Sequence, residues 1–284
     1  MSATGAPNRS SACDVIGAGQ DALLLPALSS ISSRDEMQPL AERLADKLRC
    51  ILVDWPGFGD RPRERVKLTP QSLRGFLDAL IPDAVRSPAV GVGAGHAAAY
   101  LVDAARRHPG AFARLVLIAP TWRGPFPTMV GDARRHLCVW FRRALEAPVG
   151  GEALYRLKVS KPVVAAMMRE HVYADARTIT PALLAAKLAI TRQPNARFGT
   201  AAFITGGLDP VVSRADFLRL FADGLPPILM LRPDSAPRKS TGEMDALAAT
   251  GRVRVHGVAG ALAAHEESPD EVARAIRDFV LSPE

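Results

Sequence analysis

The chain has 284 residues, of which 48% are hydrophobic and 23% charged. That is ordinary globular composition, and the length suits one large domain or two small ones with a core that needs no disulfide staples. Lysine and arginine number 36 against 29 aspartates and glutamates, a formal net charge of +7. The excess is arginine dispersed along the chain, without a helix-turn-helix, zinc-finger or RNA-binding signature, which argues against nucleic acid as the partner.

Cys13, Cys50 and Cys138 lie far apart and lack the spacing of a metal site or a disulfide framework. The start is small and polar, without an apolar stretch of signal-peptide length, and no run of about 18 apolar residues occurs. The expectation is a cytoplasmic protein with no transmembrane segment, for which peripheral contact with an anionic membrane is a lesser reading of the charge.

Residues 1–20 are set aside as an N-terminal segment. ALLLPAL (22–28) reads as a short buried strand ending at a proline. MQPLAERLADKL (37–48) places apolar residues at steps of three and four, the mark of an amphipathic helix. CILVDW (50–55) is a second strand, followed by turn residues Pro56, Gly57, Gly59 and Pro62. LTPQSLRGFLDALI (68–81) predicts a helix with Thr69 as N-cap and Pro70 in its first position. AVGVG (89–93) is a strand, AAAYLVDAARRH a helix, and RLVLIAP (114–120) the next strand. Continuous apolar strands alternating with helices imply a parallel sheet covered on both faces.

The pattern then changes. From Thr121 to about Leu225 the chain is rich in helix formers and broken by prolines. TAAFITG (200–206) fits helix or strand equally. The stretch is read as a helical insertion capping the sheet. Strand, helix and strand return in PILMLRP (227–233), TGEMDALAAT (241–250) and RVRVHGV (252–258). PDEVARAIRDFVL (269–281) closes the chain as a helix, with Ser268, Pro269 and Glu271 in capping-box positions. The organisation expected is α/β: a core of residues 21–121 and 226–284 and a helical cap of 122–225.

Between the 89–93 strand and its helix stands Gly91-Val92-Gly93-Ala94-Gly95. A sharp strand-to-helix turn flanked by small residues is the setting of a nucleophile elbow. Here the sequence resembles the α/β-hydrolase fold family. VDWPGFGDRP (53–62) is similar to the family's Asp-x-Pro-Gly-x-Gly turn, with Asp54, Pro56, Gly57 and Gly59 matching. GALAAHEESPDEVARAIRDFV (260–280) resembles its closing stretch, Gly-x-His-x-x-His-Glu-Glu-x-Pro plus a helix. The resemblance spans roughly 20–121 and 226–281 and implies a mostly parallel sheet flanked by helices, with an active site at the elbow.

The same alignment exposes departures. It puts Gly93 at the nucleophile position and Leu262 at the catalytic histidine, with His265 as the second histidine that orders the loop. Pro26-Ala27 replace the family's His-Gly. For the acid, Asp234 lies about 28 residues before Leu262, room for one helix and one strand, and is preferred over Asp209, about 53 before; a one-residue slip moves the acid position to Ser235. The resemblance implies oxyanion donors at the backbone N–H groups of Leu28 and Ala94.

Other residues carry two readings. Ser29, Ser30, Ser32 and Ser33 are a relocated nucleophile or, with more weight, a turn capping the next helix. His96, beside the elbow, reaches the pocket or sits in the core, the latter favoured. Cys138, near His136 and Arg142, is reactive only with a partner lowering its pKa, and buried inert cysteine is the default. Ser29, His96, Trp122, Arg123 and Phe126, with Met129, are expected at the pocket, an apolar wall with one arginine suited to an apolar ligand bearing an acid group. Arg134, Arg135, Arg142 and Arg143 read as a solvated helix face.

The functional expectation is a non-hydrolytic member of the fold binding a small apolar or amphipathic molecule, or serving as a scaffold. The alternative is an enzyme of hydrolase or lyase type using relocated residues or an activated water. No metal or cofactor is implied.

Overall fold

A computed structural model describes residues 13–60, 63, 67–131 and 135–282, with only the backbone of Arg135. Pro62, Arg134 and the first twelve residues lie outside the described residues. The strands are β1 (Cys13–Ile16), β2 (Gln20–Leu25), β3 (Leu48–Val53), β4 (Ala89–Ala94), β5 (Phe112–Ile118), β6 (Ile228–Pro233) and β7 (Arg254–Val258). They form one sheet in the order β1-β3-β2-β4-β5-β6-β7. β1 runs antiparallel to β3, and the other neighbours are parallel.

The edge strand β1 falls inside the segment set aside as N-terminal. Its four residues are at best half-buried, so they carry little apolar signal. β2 ends at Leu25, just before the proline, because Pro26 has no N–H to give a central ladder. A 3-10 turn (Arg34–Met37) leads into α1 (Gln38–Leu44), which stops short of residue 48 because β3 already begins there. α2 (Pro70–Ala84) opens with a capping box in which Thr69 Oγ1 accepts from the Ser72 N–H and Ser72 Oγ from the Thr69 N–H. α3 (Ala97–Arg107) follows β4.

Along the strands, alternate residues feed two layers. Leu23, Leu25, Ile51, Val53, Leu115, Leu117 and Met230 pack with α2 and α3 residues such as Leu73, Leu77 and Leu101. Leu24, Leu52, Val90, Val92, Val116, Ile118 and Leu231 pack with Leu40 and Leu44 and with Val272, Ile276 and Phe279 near the C-terminus.

No described residue between β5 and β6 joins the sheet. The chain passes through α4 (Pro125–Val130), α5 (Arg135–Glu146), α6 (Gly151–Lys158), α7 (Lys161–Met167), α8 (Pro181–Thr191), α9 (Ala196–Ile204) and α10 (Arg214–Arg219). The ambiguous stretch near 200 is therefore mostly helix, packing Ala201 and Ala202 at no exposure. These helices enclose a third cluster that includes Tyr155, Val164, Met168, Tyr173 and Leu188, and Ile31 and Ala263 from core loops complete it.

After β6 come α11 (Arg238–Ala248), β7, α12 (Ala264–Glu267) and α13 (Pro269–Leu281). The capping box expected at α13 does not form: the Ser268 side chain caps nothing, and the Glu271 carboxylate accepts the Ala259 N–H at 3.2 Å instead. No helix among the described residues is long and apolar enough to cross a membrane.

Candidate functional site

The strand-to-helix bend is two residues beyond the expected one. Gly93 is still a β4 residue, in register with Leu25 and Leu117. A Cβ there would stand 3.0 Å from Ala98 Cα and 3.2 Å from Ala98 N, so this glycine lets α3 lie close on the sheet. The residue in the left-handed region is Gly95, with φ +52°. A Cβ on Gly95 would meet only Ala27 Cβ at 3.5 Å and Thr121 Oγ1 at 3.9 Å, ordinary contact distances. The bend therefore has space for a side chain and carries none. Its small flanking residues are Gly93 and Ala97, where Gly91 and Gly95 were expected. Ala94 is likewise a strand residue, in register with Ile118. The N–H that follows the bend is that of His96, at the head of α3, where first-turn amides have no intrahelical acceptor.

The loops around the bend are firmly braced. Pro26 C=O accepts from Trp55 Nε1 at 2.9 Å, and the Ala27 N–H donates to Glu36 Oε1 at 2.6 Å. Leu28 is buried. Ser29 Oγ lies 2.9 Å from Ser32 Oγ and accepts from the Ile31 N–H, the behaviour of a turn residue. Leu262 is partly buried against the core and offers no titratable group. Asp234 is exposed; its Oδ1 accepts from Ser235 Oγ at 2.9 Å and from the Gly260 N–H at 3.2 Å, tying the β6 and β7 loops together.

Of the two candidate acids, Asp209 is the one that faces an imidazole. Its Oδ1 lies 3.4 Å from His96 Nε2 and accepts the Gly124 N–H at 2.8 Å. Both side chains are only 2% exposed. Nε2 is also 3.3 Å from Leu208 C=O, and the ring stands edge-on to Phe203. His96 thus turns toward the 203–209 segment. Its Nδ1 and Asp209 Oδ2 are buried without a hydrogen-bond partner.

A second polar cluster joins the cap helices to the core. Lys187 of α8 places its ammonium 2.9 Å from Glu266 Oε1 and 3.6 Å from Glu36 Oε2, with side-chain exposures of 5%, 12% and 2%. His265 Nε2 lies 3.6 Å from Glu36 Oε1, and Tyr173 OH donates to Glu266 Oε1 at 2.9 Å. Burial alone raises the Glu36 carboxyl, but His265 and Lys187 outweigh it and hold it below its usual range. Burial likewise opposes charge on Lys187, yet Glu266 and Glu36 hold its ammonium above the ordinary value. Glu36, His265 and Glu266 have the donor set of a metal centre, within 4.8 Å of one another. The Lys187 ammonium already supplies a cation to both carboxylates.

A third feature is an open cavity of about 340 Å³ lined by Thr121, Trp122, Arg123, Thr128 and Arg214, and by Arg238, Lys239, Ser240, Gly242 and Glu243 from the start of α11. Of the residues expected at a pocket, Trp122 and Arg123 are here, whereas Ser29, His96 and Phe126 are not. Phe126 packs on Phe141, with centroids 5.1 Å apart, and Met129 is 70% exposed. Trp122 is buried, stacks on Phe217 and donates Nε1–H to Glu243 Oε2 at 3.0 Å. Burial raises the Glu243 carboxyl, but bonds from Arg214 and Trp122 bring it below its usual range.

Cys138 is buried beside an exposed His136. Burial pushes the Cys50 thiol up to about 12, which makes it inert. Sequence reasoning missed Lys187 and Glu36. A lone lysine within PALLAAKLAIT was a signal for the first, since a charge in so apolar a helix needs a partner. Glu36 lies in the polar run Arg34-Asp35-Glu36, where no local signal marks it as buried.

A family model described as "Alpha/beta hydrolase family" matches residues 22–275. Among solved structures, Cfl2 from Burkholderia cenocepacia superposes with a TM-score of 0.71 at 23% identity, covering 94% of this chain and 90% of that one. The haloalkane dehalogenase DatA from Agrobacterium tumefaciens C58 gives 0.71 at 16% identity over 94% and 91% of the two chains. The enol-lactonase from Burkholderia xenovorans LB400 gives 0.69 at 16% over 95% and 96%. Among curated proteins none matches.

Proposed function

Because the chain belongs to the alpha/beta hydrolase family, we propose that it is a member whose acyl-transfer groups are gone and whose fold binds a small apolar or amphipathic molecule. The observation that carries this reading is the bend itself. Gly95, at φ +52°, holds the backbone conformation of a nucleophile elbow, has space for a side chain, and has none. The proposed vacant pair is therefore Gly95 and Leu262. In a serine hydrolase, loss of the nucleophile or the base alone lowers kcat about a million-fold. The residual machinery in this reading is backbone: by the family resemblance, the N–H groups of Leu28 and of His96, the residue after the bend, would serve as donors to a carbonyl oxygen, and a helix start favours partial negative charge.

A panel of p-nitrophenyl esters, a lactone and a haloalkane, the last two taken from the names of the structural relatives, tests this. The expected result is no turnover above buffer. Turnover that survives purification to homogeneity and is lost with a single substitution in the chain overturns it.

The His96–Asp209 pair favours one other reading, an enzyme in which water occupies the space at Gly95. Asp209 would orient His96, which would act as the base toward that water. Ester turnover abolished by His96→Gln and by Asp209→Asn, yet unchanged in Asp234→Asn, supports it; a panel without turnover rejects it.

A further inference from the structure

The cap helix α5 is apolar on two sides. Its inward stripe is occupied: Cys138 and Leu145 are buried, and Phe141 between them meets Phe126. Steps of three and four complete the core-facing side of an amphipathic helix. A second stripe runs along the opposite side. His136, Val139, Trp140 and Arg143 follow one another at the same steps, and with Leu137 they line a shallow groove at the surface. Trp140 is 71% exposed and Val139 55%. Neither is needed by the core, so both leave apolar surface in water. Such a patch marks a place where something else excludes that water.

α4 extends the patch. Phe126 sits on Phe141, the neighbour of Trp140, and Met129, one turn further along α4, is exposed as well. Cations border it from three helices. Arg143 is exposed on α5 itself. Lys158 of α6 holds its ammonium 5.8 Å from the Phe141 ring centroid. Lys239 of α11 donates to Thr128 C=O, beside Met129, at 2.7 Å. A ring face and a carbonyl leave those two charges uncancelled. The carboxylate one turn beyond on α5, Glu146, is taken by Arg142 at 2.8 Å. Among the described residues, Arg143, Lys158 and Lys239 have no carboxylate at ion-pair distance.

We infer that this face of the cap docks on an anionic lipid surface. A bilayer interface takes both halves of the patch at once. Val139, Trp140 and Met129 enter among the upper acyl chains, and the long cationic side chains reach the lipid phosphates. Tryptophan suits that boundary because its ring is apolar and its N–H finds a polar neighbour there. A second copy of the chain is a poorer occupant. A two-fold contact sets the same patch against itself, which would bring the Arg143, Lys158 and Lys239 charges toward their own likes. The inference is independent of whether Gly95 leaves the bend catalytically silent.

Cosedimentation of the full chain with vesicles tests it. Phosphatidylcholine vesicles carrying about one third phosphatidylglycerol should bind the chain, and pure phosphatidylcholine should bind it far less. High salt should weaken the interaction. The chain's own tryptophans report the docking side, because Trp55 and Trp122 are buried and Trp140 is exposed. A blue shift of emission on binding, quenched by brominated lipid and absent in Trp140→Ser, is the expected signal. Trp140→Ser should weaken binding about tenfold, and Arg143→Glu combined with Lys158→Glu by about as much. Leu281→Ser, an exposed apolar position on α13, should leave it unchanged. Circular dichroism checks that each variant is folded. No binding to the anionic vesicles, or binding undiminished in Trp140→Ser, overturns the inference. So does a dimer by light scattering that Trp140→Ser dissociates, which would make a second copy the occupant.

Discussion

The bend at Gly95 and the seam at Lys187 are built on opposite terms. At the bend, the backbone has the conformation of a reactive centre while the side chain is missing and Leu262 is apolar. At the seam, one ammonium, two carboxylates, an imidazole and a phenol are buried together within hydrogen-bond or ion-pair distance. Burying so much charge is costly unless each group is matched, and a matched set fixes one arrangement of the elements that supply it. Those elements are α8, Tyr173, the turn before α1 and the 260–267 loop. In the proposed reading, the closing loop keeps His265 at the seam, 3.6 Å from Glu36, and has Leu262 where a catalytic histidine would stand.

The largest effect should come from breaking the seam. Lys187→Met keeps most of the volume and leaves Glu36 and Glu266 facing each other without their cation. The expected loss is about 3–5 kcal/mol of stability, read by urea denaturation. Adding Glu36→Gln and Glu266→Gln should recover part of it; a single variant as stable as the parent would show that the seam is not what joins cap and core.

The two glycines of the bend separate packing from conformation. Gly93→Ala pushes a methyl against the α3 backbone at 3.0 Å and should cost about 1–3 kcal/mol. Gly95→Ala has space and is opposed only by its positive φ, so its cost should be about 1–2 kcal/mol. Equal urea midpoints for Gly95→Ala and the parent would mean that the bend is not left-handed in solution.

A separate effect is a pH dependence at the Asp54 turn. Asp54 is buried, accepts the Arg34 N–H at 2.7 Å and the Asp60 N–H at 3.3 Å, and lies with Asp60 around the Arg34 guanidinium. Burial, with Asp60 adding to it, pushes its carboxyl from 3.8 up to about 7. The folded state then holds a proton that the unfolded chain has released, so this group's contribution to stability grows as pH falls from above 7 toward 4 and fades as pH rises through 7. Asp54→Asn should flatten the melting temperature across that window relative to the parent. A parallel dependence in both proteins would assign it to other groups.

The fold was legible in the sequence wherever local signals agreed with burial. The parallel strands read as apolar runs, and α2 announced itself through Thr69 and Pro70. What escaped had weak local signals: β1 is short and half-buried, and the Ser268–Glu271 spacing matched a capping box whose glutamate is drawn away to Ala259. At the site, small residues on both sides of the bend made its register ambiguous. Gly91, Gly93 and Gly95 look alike in sequence and differ only in φ and in what a Cβ would meet. Asp209 was set aside on spacing, and only the tertiary path of the 203–209 segment brings it to His96.

The central claim, an elbow without a nucleophile, is tested most directly by intact-mass spectrometry after incubation with a fluorophosphonate. The account predicts a chain of unchanged mass. A stoichiometric phosphonyl adduct on any serine near Gly95 would contradict it.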